Sequence, residues 1–169
     1  MNFMSNSALS NECRYKGKAD LRTPQLADYQ TIASWIPNAE SCLLWAGPRL
    51  PFPFSVAELP QLLTAYEERS YCLAEGKASP LGFGQHRTSQ PNTVHLCRII
   101  IAPSARGQGL GRLLCQLLMA QATQAGAKQI TLGVFRVNAA AVTLYSSLGF
   151  TTVESKSNNE SIFMQINLK

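Results

Sequence analysis

Ile99-Ile100-Ile101-Ala102-Pro103-Ser104-Ala105-Arg106-Gly107-Gln108-Gly109-Leu110-Gly111-Arg112 is the most informative stretch of the chain. The isoleucine run predicts a buried central strand over Thr93–Ala102. After the glycines, Leu110, Leu113, Leu114, Leu117 and Leu118 recur at i, i+3, i+4, i+7 and i+8. This single apolar stripe predicts a helix over Leu110–Gln124, ended by Gly126. A strand thus runs through a glycine-rich turn into a helix N-terminus. The first N–H groups of a helix have no intrahelical acceptor, and its dipole places about half a positive charge there. Gly107, Gly109 and Gly111 remove the Cβ atoms that would hold an anion away. A glycine inside a helical turn costs up to about 1 kcal/mol relative to alanine, so their presence calls for a reason. Arg106 and Arg112 bracket the turn as partners for phosphate oxygens.

Beyond this segment, Gln129–Phe135 reads as a second buried strand. Asn138 then caps a short helix, Ala139–Leu148, closed by Gly149. Strands near Phe150–Glu154 and over Ser161–Asn167 follow. On the N-terminal side, Ser70–Ala74 and Leu81–Arg87 are strands joined by Gly76–Pro80, and Ser89–Asn92 turns the chain into the isoleucine strand. Ala19–Thr23 is a short strand; Leu26–Trp35, Ser41–Trp45 and Ala57–Glu68 are helical. Gly47–Phe54 holds too many prolines for regular structure. The expectation is an α/β, layered α+β domain over residues 18–169, with residues 1–17 a polar, loosely ordered lead-in that lacks the pattern of a secretory signal.

At 169 residues, with 46% apolar and 15% charged side chains, the chain is one ordinary globular domain. No apolar run is long enough for a membrane span. The five cysteines are scattered without a C-x-x-C pair, so neither a disulfide framework nor a metal site is expected, and a reducing cytoplasm is the simplest setting. The net charge of +5 is unevenly spread. Between Gly76 and Val153 there is no Asp or Glu, while Lys77, Arg87, Arg98, Arg106, Arg112, Lys128 and Arg136 fall there. These cations are scattered singly, without aromatic interleaving, which fits a small polyanionic ligand better than nucleic acid.

Three kinds of phosphate site compete for the glycine turn. A nucleotide P-loop needs G-x-x-x-x-G-K-[ST], and no Gly-Lys-Ser/Thr occurs. A dinucleotide site needs a third glycine where Arg112 stands, and an acid about 20 residues on. The third is a resemblance. Arg106 to Gly111 resembles the R/Q-x-x-G-x-G/A pyrophosphate loop of the GNAT N-acetyltransferase superfamily. Asn138 to Phe150 is similar to that family's N-x-x-A-x-x-L-Y-x-x-L-G-F segment. The likeness is good from about Ser70 to Phe150 and weak in the N-terminal third.

The resemblance implies a mixed, largely antiparallel sheet flanked by helices and splayed between its two central strands. It implies acetyl-CoA as acyl donor, without a metal, and an amine acceptor on a small molecule, peptide or protein, attacked directly in a ternary complex. The diphosphate would lie on Arg106, Gly107, Gln108, Gly109, Leu110, Gly111 and Arg112, and the pantetheine arm beside Ile99, Ile100 and Ile101. Asn138 would touch the cofactor, although it also reads as a plain helix cap. Tyr145, two turns along the same face, would protonate the departing thiolate, although it also reads as ordinary core. Some family members carry a glutamate where Gly133 stands here. Proton removal from the amine is therefore left to water, to His86 or His95, or to Glu40, Glu75 or Glu160. Trp45, Phe52 and Phe54 either wall an acceptor pocket or cover the sheet. A non-catalytic CoA-binding module is the alternative. No nucleic-acid or membrane partner is expected, and either a monomer or a homodimer is compatible.

Overall fold

The computed structural model describes residues 14–169. Of the expected lead-in, residues 1–13, Cys13 among them, lie outside the described residues. The chain from Arg14 is laid against the domain, with the Tyr15 N–H donating to the Gln108 carbonyl at 3.2 Å.

In chain order the elements are β1 (Asp20–Arg22), α1 (Leu26–Ser34), α2 (Ala39–Ala46), α3 (Leu59–Leu63), β2 (Arg69–Ala74), β3 (Gly82–Gln90), β4 (Thr93–Ile101), α4 (Leu110–Gln124), β5 (Gln129–Phe135), α5 (Ala139–Ser147), β6 (Thr151–Thr152) and β7 (Ser161–Asn167). The strands form one sheet in the order β1-β2-β3-β4-β5-β7-β6. Among the described residues only β4 and β5 pair in parallel; every other pair is antiparallel. The expected layered, mixed and largely antiparallel sheet is the observed one. The leucine stripe of α4 packs on β3 and β4, with Leu110, Leu114 and Leu118 fully buried. Each such side chain contributes about 1.5–3 kcal/mol through burial. Gly84 on β3 lets α4 approach, since a Cβ there would stand 2.7 Å from Leu118 Cδ1.

Two departures from the sequence reading matter for the site. The helix expected over Ala57–Glu68 shrinks to the single turn of α3, which ends where Thr64 N–H bonds back to the Gln61 carbonyl. Glu67 then takes a left-handed φ of 62°, and Glu68 turns inward to a buried position. The turn expected at Ser89–Asn92 tightens to Pro91-Asn92, because β3 runs on to pair Gln90 with Thr93.

The parallel pair fixes the geometry of everything that follows. Its register runs Thr93↔Gln129, Val94↔Ile130, His95↔Thr131 and Leu96↔Leu132, and stops there. At the paired end, the Asn92 carbonyl accepts from both Lys128 N–H (2.8 Å) and Gln129 N–H (3.1 Å). At the other end β4 continues to Ile101 and β5 to Phe135 without pairing. Just past the last rung β4 bulges. Phe83 stands opposite Ile100 but Gln85 opposite Cys97, so Gly84 alone faces Arg98 and Ile99. Arg98 carries the bulge at φ 50°, a left-handed value rarely taken by a non-glycine residue.

Candidate active site

The glycine turn has the conformation its composition demands. Gly107 and Gly109 lie at φ 76° and 83°, where a Cβ is strained. Gly109 is the N-cap of α4 and its carbonyl accepts the first helical bond, from Leu113 N–H at 3.2 Å. No side chain caps this helix, so the N–H groups of Leu110, Gly111 and Arg112 lack intrahelical acceptors. A cavity of about 460 Å³ lies here, lined by Gly107 to Gly109, Gly111, Arg112, Arg14 and the α5 residues Ala140, Leu144 and Ser147. A Cβ on Gly107 would meet nothing within 4 Å, and one on Gly111 would reach Leu144 Cδ2 at an ordinary 3.4 Å. Packing alone does not call for these glycines; they leave the cavity floor bare.

The bracketing arginines differ. Arg112 Nη2 donates to Ser147 Oγ at 2.6 Å and ties α4 to α5 at the cavity wall. Arg106 lies outside the lining; its Nε donates to the Ile101 carbonyl at 3.3 Å and braces the strand end against the turn. Leu110 is buried and anchors the first turn in the core.

A second cavity, of about 300 Å³, opens where β4 and β5 part, with His95 to Arg98 on one side and Gly133 to Phe135 on the other. The end of α2 closes it, and Trp45, a lining residue, donates its indole N–H to the Arg98 carbonyl at 2.8 Å. Pro48 and Arg49 also line it, whereas Phe52 and Phe54 pack edge-on to each other at 5.9 Å outside both cavities. Ile99, Ile100 and Ile101 are half-buried on the part of β4 that pairs with β3 but not with β5.

Glu68 is the carboxylate that reaches this cavity, and its sequence position did not reveal it. Its Oε1 meets Arg98 Nη1 at 3.1 Å and its Oε2 accepts from Tyr66 N–H at 2.8 Å. Arg98 Nη1 also donates to Gln85 Oε1 at 2.7 Å and to the Leu63 carbonyl at 3.2 Å, while its buried Nε has no partner. The available signal was an arginine inside an otherwise apolar central strand, since a buried guanidinium requires an acid nearby.

The other acids considered lie elsewhere. Glu40 is exposed in the first turn of α2, Glu75 accepts a hydrogen bond from the Tyr15 hydroxyl, and Glu160 is exposed beside β7; none lines either cavity. Of the histidines, His86 is buried against Tyr71, its Nε2 3.0 Å from the tyrosine oxygen, away from both cavities. His95 lines the second cavity with Nδ1 2.9 Å from Thr131 Oγ1. Burial first, and the Arg87 charge second, lower its pKa to about 4, so it is neutral at pH 7. The Cys97 thiol beside it is pushed up to about 11, chiefly by burial, and stays protonated.

Asn138 caps α5, its Oδ1 accepting from Ala141 N–H at 3.3 Å, and lines neither cavity. Tyr145 is buried on α5, edge-on to Phe150 at 6.2 Å, and also lies outside both linings. Its hydroxyl makes no hydrogen bond among the described residues. Burial raises its pKa well above the usual phenol range. No helix among the described residues is long and apolar enough to cross a membrane. The four described cysteines are free.

The profile of the Acetyltransferase (GNAT) family matches residues 39–150. A mycothiol acetyltransferase from Amycolatopsis mediterranei is 31% identical over 98 residues, a region covering 53% of this chain and 33% of that protein. The chain thus spans about a third of the length of this relative. A crystal structure of spermidine N-acetyltransferase from Vibrio cholerae, in complex with CoA and spermine, superposes with a TM-score of 0.70. It is 24% identical and covers 88% of this chain and 95% of its own. Phosphinothricin acetyltransferase from Sinorhizobium meliloti, in complex with AcCoA, gives 0.68 at 21% identity, covering 89% and 88%. At these identities the structures share the fold.

Proposed function

Because the chain belongs to the acetyltransferase (GNAT) family, we propose that it transfers an acetyl group from acetyl-CoA to a primary amine by direct attack in a ternary complex. The observation that carries this reading is the pair of cavities around the end of one parallel strand pair: a bare, positively charged helix mouth, and a gap beyond Leu96 and Leu132.

The residues present fit a CoA diphosphate. Left-handed Gly107 and Gly109 and the uncapped N–H groups at the start of α4 form a cradle for phosphate oxygens, and Arg112 and Arg14 supply charge. The half-buried edge of Ile99 to Ile101, unpaired on the β5 side, offers main-chain groups to the amides of the arm. Acetyl-CoA, when bound, supplies an activated acyl thioester. Strand N–H groups beyond the bulge are donors available to a carbonyl oxygen. Tyr145, held protonated by burial, is the residue we assign to proton donation toward the leaving sulfur. Cys97, protonated at neutral pH, is a poor nucleophile, which favours direct attack over a cysteine-bound acyl group. His95, neutral at pH 7, is a ring able to accept a proton that water takes from the attacking amine.

Release of free thiol from acetyl-CoA, measured against a panel of amines with mass-spectrometric detection of the acetylated product, tests the proposal. Saturable acetyl-CoA binding without turnover of any amine would leave a non-catalytic CoA-binding module instead.

A further inference from the structure

The charges around the second cavity do not balance. Glu68 is its sole carboxylate among the described residues, and both its oxygens are already engaged, by Arg98 and by the Tyr66 N–H. That leaves Arg87 and Arg49. Arg87 is half-buried and makes neither an ion pair nor a hydrogen bond among the described residues; the two ion pairs there are Arg22–Asp28 and Arg98–Glu68. Arg49 lies over the Tyr66 ring at 4.9 Å, without an acid. Arg98 adds a buried Nε–H with no acceptor, in a side chain 7% exposed. A half-buried cation without a counter-charge in the cavity lining is a donor prepared for an anion, and the occluded Arg98 Nε–H adds uncompensated positive charge behind it. Leu44, Trp45, Leu96, Val134 and Phe135 give the lining an apolar part, and His95 and Ser161 add uncharged polar groups.

We infer that the acceptor is a small amine that also carries a carboxylate, on the scale of a single amino acid with an apolar side chain, its carboxylate received by Arg87. This rests on the acetyltransferase reading above and narrows it. A cavity of about 300 Å³ suits a molecule of that size. A polycationic amine would bring like charge into a site with no free acid, which is unfavourable. The arginines also act on the nucleophile. Cations close to an ammonium lower its pKa and enlarge the neutral fraction, so a cavity of this sign lessens the need for a dedicated base.

The test compares L-leucine and L-phenylalanine with their carboxamides, and with spermidine, in two measurements. The first is the thiol-release rate with acetyl-CoA. The second is binding of each amine by calorimetry without acetyl-CoA. The amide's amine is the less basic and therefore more often neutral, so chemistry alone favours the amide; a preference for the acid comes from the protein. We expect kcat/KM and affinity to favour the acids by roughly ten- to hundredfold, the range of a charge-assisted hydrogen bond. In Arg87→Gln the acid-to-amide ratio should fall toward unity, and Arg87→Lys should keep part of it, with folding checked by thermal melting. Turnover of amides or spermidine as fast as the acids would overturn the inference while leaving acetyl transfer standing. Arg87-dependent binding of the acids without turnover would uphold the carboxylate site but overturn the identification of these amines as acceptors. Equal affinity for acid and amide, with or without turnover, would sink it.

Discussion

Leu96 and Leu132 face each other on the last rung of the one parallel strand pair among the described residues, and both are buried. One residue further on, Cys97 and Gly133 no longer pair, and both line the cavity that opens between the strands. The separation is enforced from the β3 side, where the bulge at Arg98 takes β4 out of register, and from α2, where the Trp45 indole occupies the Arg98 carbonyl. That carbonyl is thereby satisfied by a side chain rather than by a ladder with β5.

Gly109 is where a substitution should strike cofactor binding most directly. An aspartate there combines a left-handed backbone with a negative charge at the positive end of α4. Calorimetry with acetyl-CoA should show a loss of affinity of at least about tenfold for Gly109→Asp. The fold should survive, since the residue sits at a helix cap outside the core.

Tyr145→Phe should leave stability nearly unchanged, because the hydroxyl makes no hydrogen bond among the described residues. Turnover should fall on the order of a hundredfold with KM little altered, as expected for loss of a general acid. The raised pKa extends the range over which the wild-type residue holds its proton. The rate of the wild type should therefore show no alkaline fall from this group through the usual phenol range. An unchanged rate in the phenylalanine variant would remove the role we assign.

Glu68→Ala should destabilise the fold by about 3–5 kcal/mol, because it leaves the Arg98 guanidinium buried without its carboxylate. Glu68→Gln, which keeps an acceptor for Arg98 Nη1, should cost less. Chemical denaturation of the two variants and the wild type separates these outcomes. Equal midpoints would show that the pair contributes nothing to the bulge.

The pH dependence of stability should carry the signature of His95. Its folded-state pKa of about 4 lies below the ordinary 6.5, so the unfolded chain binds a proton more readily between these values. The stabilisation is complete above about pH 6.5 and is lost as pH falls through about 4; for this group it amounts to on the order of 3 kcal/mol. His86, lowered chiefly by burial, adds an effect of the same sign. His95→Asn should flatten the fall in unfolding free energy over this window, measured by denaturant titration at each pH.

Much of this was written in the local sequence. The leucine stripe of α4 and the apolar run of β5 gave their own limits, because periodicity and a glycine stop coincide there. The glycine turn before α4 and the Asn138 cap were also legible, since each depends on a single residue type's chemistry, although the left-handed φ of Gly107 and Gly109 was not itself legible. What escaped was long-range. The Ala57–Glu68 segment looks helical by composition, but its last residue is drawn inward by Arg98, thirty positions later. The bulge depends on how β3 and β4 register, which no local pattern encodes. Trp45 stands out beside a stiff, proline-rich aromatic stretch and lines the second cavity, but its hydrogen bond to β4 requires the fold.

The Asn92 carbonyl, which takes hydrogen bonds from both Lys128 and Gln129, fastens the parallel pair at the end away from the gap. The two strands are therefore joined to each other at one end only; beyond Leu96 and Leu132 each is held by its outer neighbour, β3 or β7, so the gap at Gly133 has a firm edge on either side.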